Sequence, residues 1–185
     1  MKRIYYLILA ATIFSACKSS KVGQNPKCAI DNKTFIPYSV GTYWIYESSD
    51  GYSDTLKVMS NEKTDKGIKV NLNFEKWLMV SEDSIFVRCN TRGGGEFTMP
   101  LYLKIKDKAE YETCLGDVVT RVEAQRITGP IAVNGKAYTD CTEYFIKPYT
   151  KVIVADRVGP IKFTYLDING ELKSERQLKE FKVKP

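Results

Sequence analysis

The sequence predicts an all-β domain, built as a single antiparallel meander that forms a strongly curved, barrel-like or half-barrel sheet. Apolar and polar residues alternate with a period of two along most of the chain, as in residues 68–74, which is typical of strands with one buried face. The pairs Asn134-Gly135 and Asn169-Gly170 are strong hairpin signals, because both residue types tolerate positive φ. No window of twelve residues shows the apolar stripe of an amphipathic helix.

The predicted strands follow one another through short polar turns. In chain order they span residues 35–47, 55–58, 68–74, 77–80, 85–89, 97–105, 118–127, 137–147, 152–154, 161–168 and 172–183. Segments 106–112 and 174–181 would also suit a short helix by composition, although the Asn-Gly pair before the second favours a closing hairpin. A sheet of about ten strands twists too strongly to stay flat, so we expect it to curl or close.

The start of the chain has the organisation of a secretory signal. Two basic residues precede an apolar run over residues 4–14, broken only by Thr12, which is too short to cross a bilayer as a helix. The segment FSAC, residues 14–17, resembles the lipobox of bacterial lipoproteins, with Phe14 where leucine is usual. The resemblance implies that residues 1–16 are a signal peptide and that Cys17 becomes the lipidated first residue. The alternative is a plain signal peptide followed by a structural cysteine.

Residues 17–33 form the predicted lipidated cysteine and a polar tether, and residues 34–185 form the β-rich domain. Several acyl chains on one cysteine would anchor the protein stably. In Bacteroidetes-type lipoproteins, acidic residues just after the cysteine often accompany export to the cell surface, whereas this chain has Lys18 and Lys21. The resemblance therefore implies an outer-membrane anchor that faces the periplasm.

The charge and the histidine content of the chain exclude several classes of function. Removal of the predicted signal leaves 26 Lys and Arg (28 minus two) against 22 Asp and Glu, a net charge of about +4 without a basic run, which does not suit nucleic-acid binding. The chain has no histidine, and this excludes Ser-His-Asp and Cys-His catalysis and every His-ligated metal site. We expect no cofactor and no metal.

Four cysteines remain beside Cys17, and in an oxidising compartment they predict two disulfides with three alternative connectivities. They are Cys28, Cys89, Cys114 and Cys141. The favoured pairing joins Cys89 to Cys114 and, by elimination, Cys28 to Cys141. A metal site built from four scattered thiolates is the less favoured alternative, since the spacing contains no Cys-x-x-Cys.

The segment FIPYSVGTYWIYE, residues 35–47, is the most distinctive stretch. Trp44 is expected to be a core anchor of the first strand, because large aromatic side chains dominate core burial. The functional alternative places Trp44 and Tyr46 at the mouth of a ligand pocket.

Three short motifs resemble those of small Bacteroidetes-type lipoproteins of uncharacterised function, and this likeness implies an all-β domain and no known activity. The matching residues are Pro37, Gly41, Trp44 and Tyr46, then Gly135, Tyr138, Asp140 and Cys141, then Val158, Gly159, Ile161 and Lys162, with Pro160 as the odd residue.

Other polar motifs are better explained as turns. The segment RGGGE, residues 92–96, lacks the Gly-Lys-Ser/Thr ending and the following helix of a phosphate-binding loop. The segment DING, residues 167–170, lacks the spacing of a calcium loop. The carboxylates of residues 62, 65, 82 and 83 lie near turns, where solvated acidic residues are common.

The leading functional hypothesis is a non-enzymatic binding or interaction module. In one version it holds an apolar or amphiphilic ligand in the concavity of the sheet. The predicted lining residues are Trp44, Tyr46, Phe74, Trp77, Phe86 and Phe145. In the other version it supports a neighbouring envelope protein, which requires an exposed apolar patch or an unpaired strand edge. An enzyme is least favoured, because it would need convergent acids or Lys/Tyr pairs in a pocket.

Overall fold

The computed structural model describes residues 34–73, 77–90 and 94–184, and every regular element in these ranges is a β-strand. The strands are β1 (Tyr43–Ser48), β2 (Ser53–Thr64), β3 (Gly67–Leu72), β4 (Trp77–Val80), β5 (Ser84–Asn90), β6 (Glu96–Leu103), β7 (Lys108–Leu115), β8 (Val118–Arg126), β9 (Ile131–Val133), β10 (Lys136–Tyr138), β11 (Cys141–Ile146), β12 (Thr150–Ala155), β13 (Gly159–Leu166) and β14 (Leu172–Lys182). The all-β prediction is confirmed. No helix in these ranges is long and apolar enough to cross a membrane.

Twelve strands form one antiparallel sheet in the order β6-β5-β4-β3-β2-β1-β14-β13-β12-β11-β8-β7. The first strand lies between β2 and the last strand, with Trp44 opposite Phe181. The long strand β2 pairs with β1 through its first half and with β3 through its second half, and its register shifts between Val58 and Ser60. Strands β9 and β10 form a separate hairpin.

Side chains nearly close the sheet into a barrel-like shape. Strands β6 and β7 stand at the two ends of the strand order, and a disulfide between Cys89 of β5 and Cys114 of β7 joins these ends. The hydroxyl of Tyr111 in β7 donates to the backbone oxygen of Leu101 in β6 at 2.9 Å. The hydroxyl of Tyr144 in β11 donates to the backbone oxygen of Leu103, at the end of β6. These contacts replace a backbone ladder at this seam.

One hydrophobic core fills the space between the inner faces of the strands. Its largest fully buried side chains are Trp44, Tyr46, Ile85, Tyr144, Ile161 and Leu178. Each alternates with more exposed neighbours along its strand, as the period of two requires. Phe35 and Ile36, which precede β1, are also buried in this core.

Two predicted strands have different bounds in the structure, and the two segments with a helix alternative are extended. The predicted strand 137–147 is interrupted: β10 ends at Tyr138 and β11 begins at Cys141, with Asp140 at a φ of 56° between them. The two segments that also suited a short helix are extended in the structure, 106–112 leading into and forming part of β7 and 174–181 lying within β14, because each pairs with neighbouring strands along its length. The first strand begins at Tyr43 rather than at residue 35. The hairpin at Asn134-Gly135 is confirmed, with positive φ at both residues.

Candidate functional site

Two of the motifs found in the sequence meet in the core. The indole Nε1 of Trp44 donates to the backbone oxygen of Val158 at 2.6 Å, and the Tyr46 hydroxyl donates to that of Pro160 at 2.9 Å. Gly159 lies between these carbonyls at a φ of +105°, where an added Cβ would stand 3.3 Å from the indole nitrogen. With 2% of Trp44 and 1% of Tyr46 exposed, both residues anchor β1 to β13 and neither stands at a pocket mouth.

Three other predicted lining residues, Trp77, Phe86 and Phe145, lie on the opposite face of the sheet. Trp77 and Phe86 alternate with the inward-facing residues Leu78 and Ile85, so they point away from the core that contains Trp44. Lys69 Nζ lies 5.3 Å from the centre of the Trp77 ring, as expected for a cation–π contact on the outer surface.

Phe145 belongs to the same outer face. It stands between Tyr144 and Ile146, which are both buried. Lys147 Nζ and Lys151 Nζ lie 4.1 and 5.4 Å from the centre of its ring. The structure therefore separates the residues that were predicted to line one concavity. Phe74 lies outside the described residues.

The cysteines divide into a disulfide and a free thiol. Cys89 and Cys114 form the favoured disulfide, with their Cα atoms 5.9 Å apart. Cys141 is buried and has no disulfide partner within the described part of the chain. Burial raises the pKa of its thiol. Its predicted partner Cys28, like Cys17, the signal peptide and the tether, lies outside the described residues. No cluster of three potential metal ligands occurs in the described ranges.

A half-buried arginine is the feature that the sequence analysis missed. Arg176 of β14 pairs with Asp54 of β2, and its guanidinium carbon lies 5.3 Å from the ring centres of both Tyr46 and Phe163. Burial alone would lower the pKa of Arg176, but its bonds to Tyr165 and its ion pair outweigh this effect and raise it. The side chain consequently links β14 to β1, β2 and β13 through a permanent charge.

A shallow depression of about 240 Å³ lies where the β9–β10 hairpin reaches β14. Its lining is polar and consists of Glu47, Ser48, Ser49, Asn134, Glu175 and Gln177. Asn134 Nδ2 donates to the backbone oxygen of Leu178 at 2.9 Å and holds the hairpin in place.

The two carboxylates of this depression are already paired. Glu175 accepts from Lys162 at 2.6 Å, and Glu47 lies 3.3 Å from Lys179 Nζ. Burial tends to raise the pKa of Glu175, but its bonds to Lys162 and Gln177 outweigh this and lower it.

Exposed apolar side chains collect at one end of the barrel-like sheet. Ile168 is 83% exposed, Tyr52 69% and Leu172 65%. Eight of the ten large apolar side chains exposed in the described ranges lie in or beside the turns at this end. We call this set the apolar rim, and its members are Tyr52, Phe97, Leu115, Val118, Val119, Tyr149, Ile168 and Leu172.

Backbone hydrogen bonds connect these turns around the rim. The amide of Ser49 donates to the backbone oxygen of Glu175. This bond joins the β1–β2 turn to the start of β14. The amide of Leu166 donates to Tyr149, which joins the end of β13 to the β11–β12 turn. The amide of residue 90 similarly donates to Gly116 in the β7–β8 turn. These bonds join neighbouring turns at this end of the molecule.

Comparison with known proteins adds little to this geometry. No protein-family model matches the chain, and no curated protein matches it. A crystal structure described as "a putative lipoprotein from Parabacteroides distasonis" is similar with a TM-score of 0.49 and 13% sequence identity, over 81% of this chain and 99% of that chain. A likeness at this level carries no conclusion about activity, ligands or partners.

Proposed function

We propose that this protein is a lipoprotein of the cell envelope, anchored in the outer membrane through acyl chains on Cys17 and facing the periplasm. It acts as a non-enzymatic interaction module, and the apolar rim docks a partner protein. The lipobox-like segment and the signal that precedes it support the anchor. The rim supports the docking role.

The exposure of the rim is the observation that carries this proposal. Burying one large aliphatic side chain such as Ile168 or Leu172 stabilises a complex by about 1.5–3 kcal/mol, so a surface that leaves several of them in water gains much from a partner. Soluble domains rarely leave many such residues exposed together without a binding role.

The packing favours docking over an apolar ligand in the concavity. Trp44 and Tyr46 are buried and hydrogen-bonded within the core, and the remaining described lining candidates face outward. The carboxylates of the polar depression, Glu47 and Glu175, are engaged by lysines, which supports a non-enzymatic role.

The anchor can be tested by intact mass spectrometry of the protein purified from the envelope. We expect an acyl mass on Cys17 that is absent from Cys17→Ser, together with release of that variant from the membrane fraction. An unmodified Cys17 in the wild-type protein would refute the lipid anchor.

Docking can be tested in living cells with a photo-crosslinking amino acid at Ile168. The matched control carries the same amino acid at Lys66, which is exposed at the opposite end of the molecule in the β2–β3 turn. We expect a discrete protein adduct at Ile168 that is absent at Lys66. Equal adducts at the two positions, or no protein adduct at Ile168, would refute docking through the rim.

A further inference from the structure

We propose that the partner of the apolar rim is a protein that presents an apolar surface bordered by lysine and arginine side chains, and that the rim does not bind lipid. This inference rests on the proposed docking function and specifies the chemistry of its partner.

Carboxylates are interleaved with the apolar residues of the rim. Asp50 precedes Tyr52 by two residues in the β1–β2 turn, and Asp117 lies in the two-residue turn after Leu115. In the β13–β14 turn, acidic residues 167 and 171 flank Ile168. None of these three turns contains a lysine or an arginine.

In the described ranges, Lys147 and Lys173 lie near the rim and offset these four carboxylates only in part. Lys147 of the β11–β12 turn is paired with Glu123 at 2.9 Å and lies over the ring of Phe145. Lys173, beside Leu172, is the exposed cation at the start of β14. Hydrogen bonds from Ser48 and from the backbone of residue 52 lower the pKa of Asp50, so its carboxylate stays charged at neutral pH.

This charge pattern favours a protein partner over a membrane. Surfaces that dock on membranes combine apolar residues with Lys and Arg, which attract anionic headgroups. The carboxylates of the rim would instead be repelled by such headgroups. They complement a partner in which basic residues surround an apolar patch, and such complementarity gives specificity and fast association.

The position of the chain entry supports the same conclusion. Phe35 lies where the described chain begins, and its amide donates to the backbone oxygen of Ser81, while its own oxygen accepts from the amide of Arg157. These residues belong to the β4–β5 and β12–β13 turns, at the end opposite the rim. The described chain therefore begins at the end opposite the rim, so the attachment of the domain does not itself cover the rim.

The test combines the Ile168 photo-crosslink in the full, membrane-anchored protein with charge reversal. Asp117→Lys combined with Glu171→Lys changes two exposed carboxylates of the rim, and Glu62→Lys with Asp65→Lys makes the same change of charge at the opposite end. We expect the rim pair to lower the yield of the protein adduct about tenfold, because two attractive contacts become repulsive. The control pair should leave the yield unchanged. Added salt should weaken the wild-type adduct, since exposed charges are screened.

Each other outcome is informative. A protein adduct whose yield is unchanged or raised by the rim pair would overturn the basic-border chemistry and leave docking intact. Adducts at Ile168 with the mass of a phospholipid, without a protein adduct, would overturn both this inference and the proposed function. Equal urea midpoints for the variants and the wild type establish that the effect is not one of folding.

Discussion

Removal of the disulfide at the seam should destabilise the domain strongly. Cys89 and Cys114 are separated by 25 residues, and the bond joins β5 to β7 across the two ends of the sheet. The loop-entropy relation gives about 3.5 kcal/mol of stabilisation for a loop of this length, through restriction of the unfolded chain. We therefore expect Cys89→Ala with Cys114→Ala to lose about this free energy of unfolding.

The assay is equilibrium urea unfolding, followed by tryptophan fluorescence because Trp44 is buried in the core. With an m-value of about 2 kcal/mol per molar urea, the loss corresponds to a midpoint lower by about 1.7 M. Wild-type protein treated with a reductant should shift to a similar midpoint. Cys141→Ala serves as the matched control, because it removes a buried thiol that is free within the described part of the chain.

The result that would contradict this reasoning is a loss below about 1 kcal/mol for the double variant, with the reduced wild type unchanged. The seam would then be held by its other contacts, such as the hydrogen bond from Tyr111. The disulfide would restrict the unfolded chain only slightly. A loss in Cys141→Ala as large as in the double variant would instead point to packing rather than the cross-link.

Three further predictions concern the core and its tyrosines. Trp44→Phe should lower the free energy of unfolding by about 1–3 kcal/mol in urea titrations, because it leaves the backbone oxygen of Val158 buried and unpaired; a neutral effect would refute that role. Gly159→Ala should cost more than Gly170→Ala, since both have positive φ but only the first would place a Cβ against the Trp44 indole; equal thermal midpoints would contradict this. Burial raises the pKa of Tyr111 far above its usual value, so the folded state holds this proton more tightly than the unfolded state. Its contribution is complete below about pH 10 and is lost as the pH rises further, and Tyr111→Phe should flatten the fall of the urea midpoint above that pH.

Most strands and turns could be predicted because their signals are local. The positive φ at Asn134-Gly135 and the alternation in 68–72 depend on residues close in the chain. The break at Asp140 escaped prediction because residues 137–147 contain no glycine or proline that would mark a turn, and β10 pairs with β9 in a separate sheet while β11 joins the main sheet.

The candidate site was harder to predict for a physical reason. Alternation shows that Phe145 and its neighbours Tyr144 and Ile146 face opposite sides of a strand, but all three are apolar, and burial of either face would satisfy the pattern. The lining predicted from such residues was therefore spread over two faces. The sequence indicates the rim only weakly, through apolar residues in or beside polar turns. Ile168 in the segment DING is an example.

The residues along the chain were sufficient to establish the β class, most turns and the absence of histidine chemistry, and they predict an anchor at Cys17. These properties follow from composition or from neighbours within a few positions. The insertion of β1 between β2 and β14, the closure of the seam, the Arg176 cluster and the apolar rim depend on contacts between residues far apart in the chain. Tyr43 and Glu180, for example, are 137 positions apart. Such contacts reflect which faces and edges can be buried together in three dimensions, and a local pattern does not encode that choice.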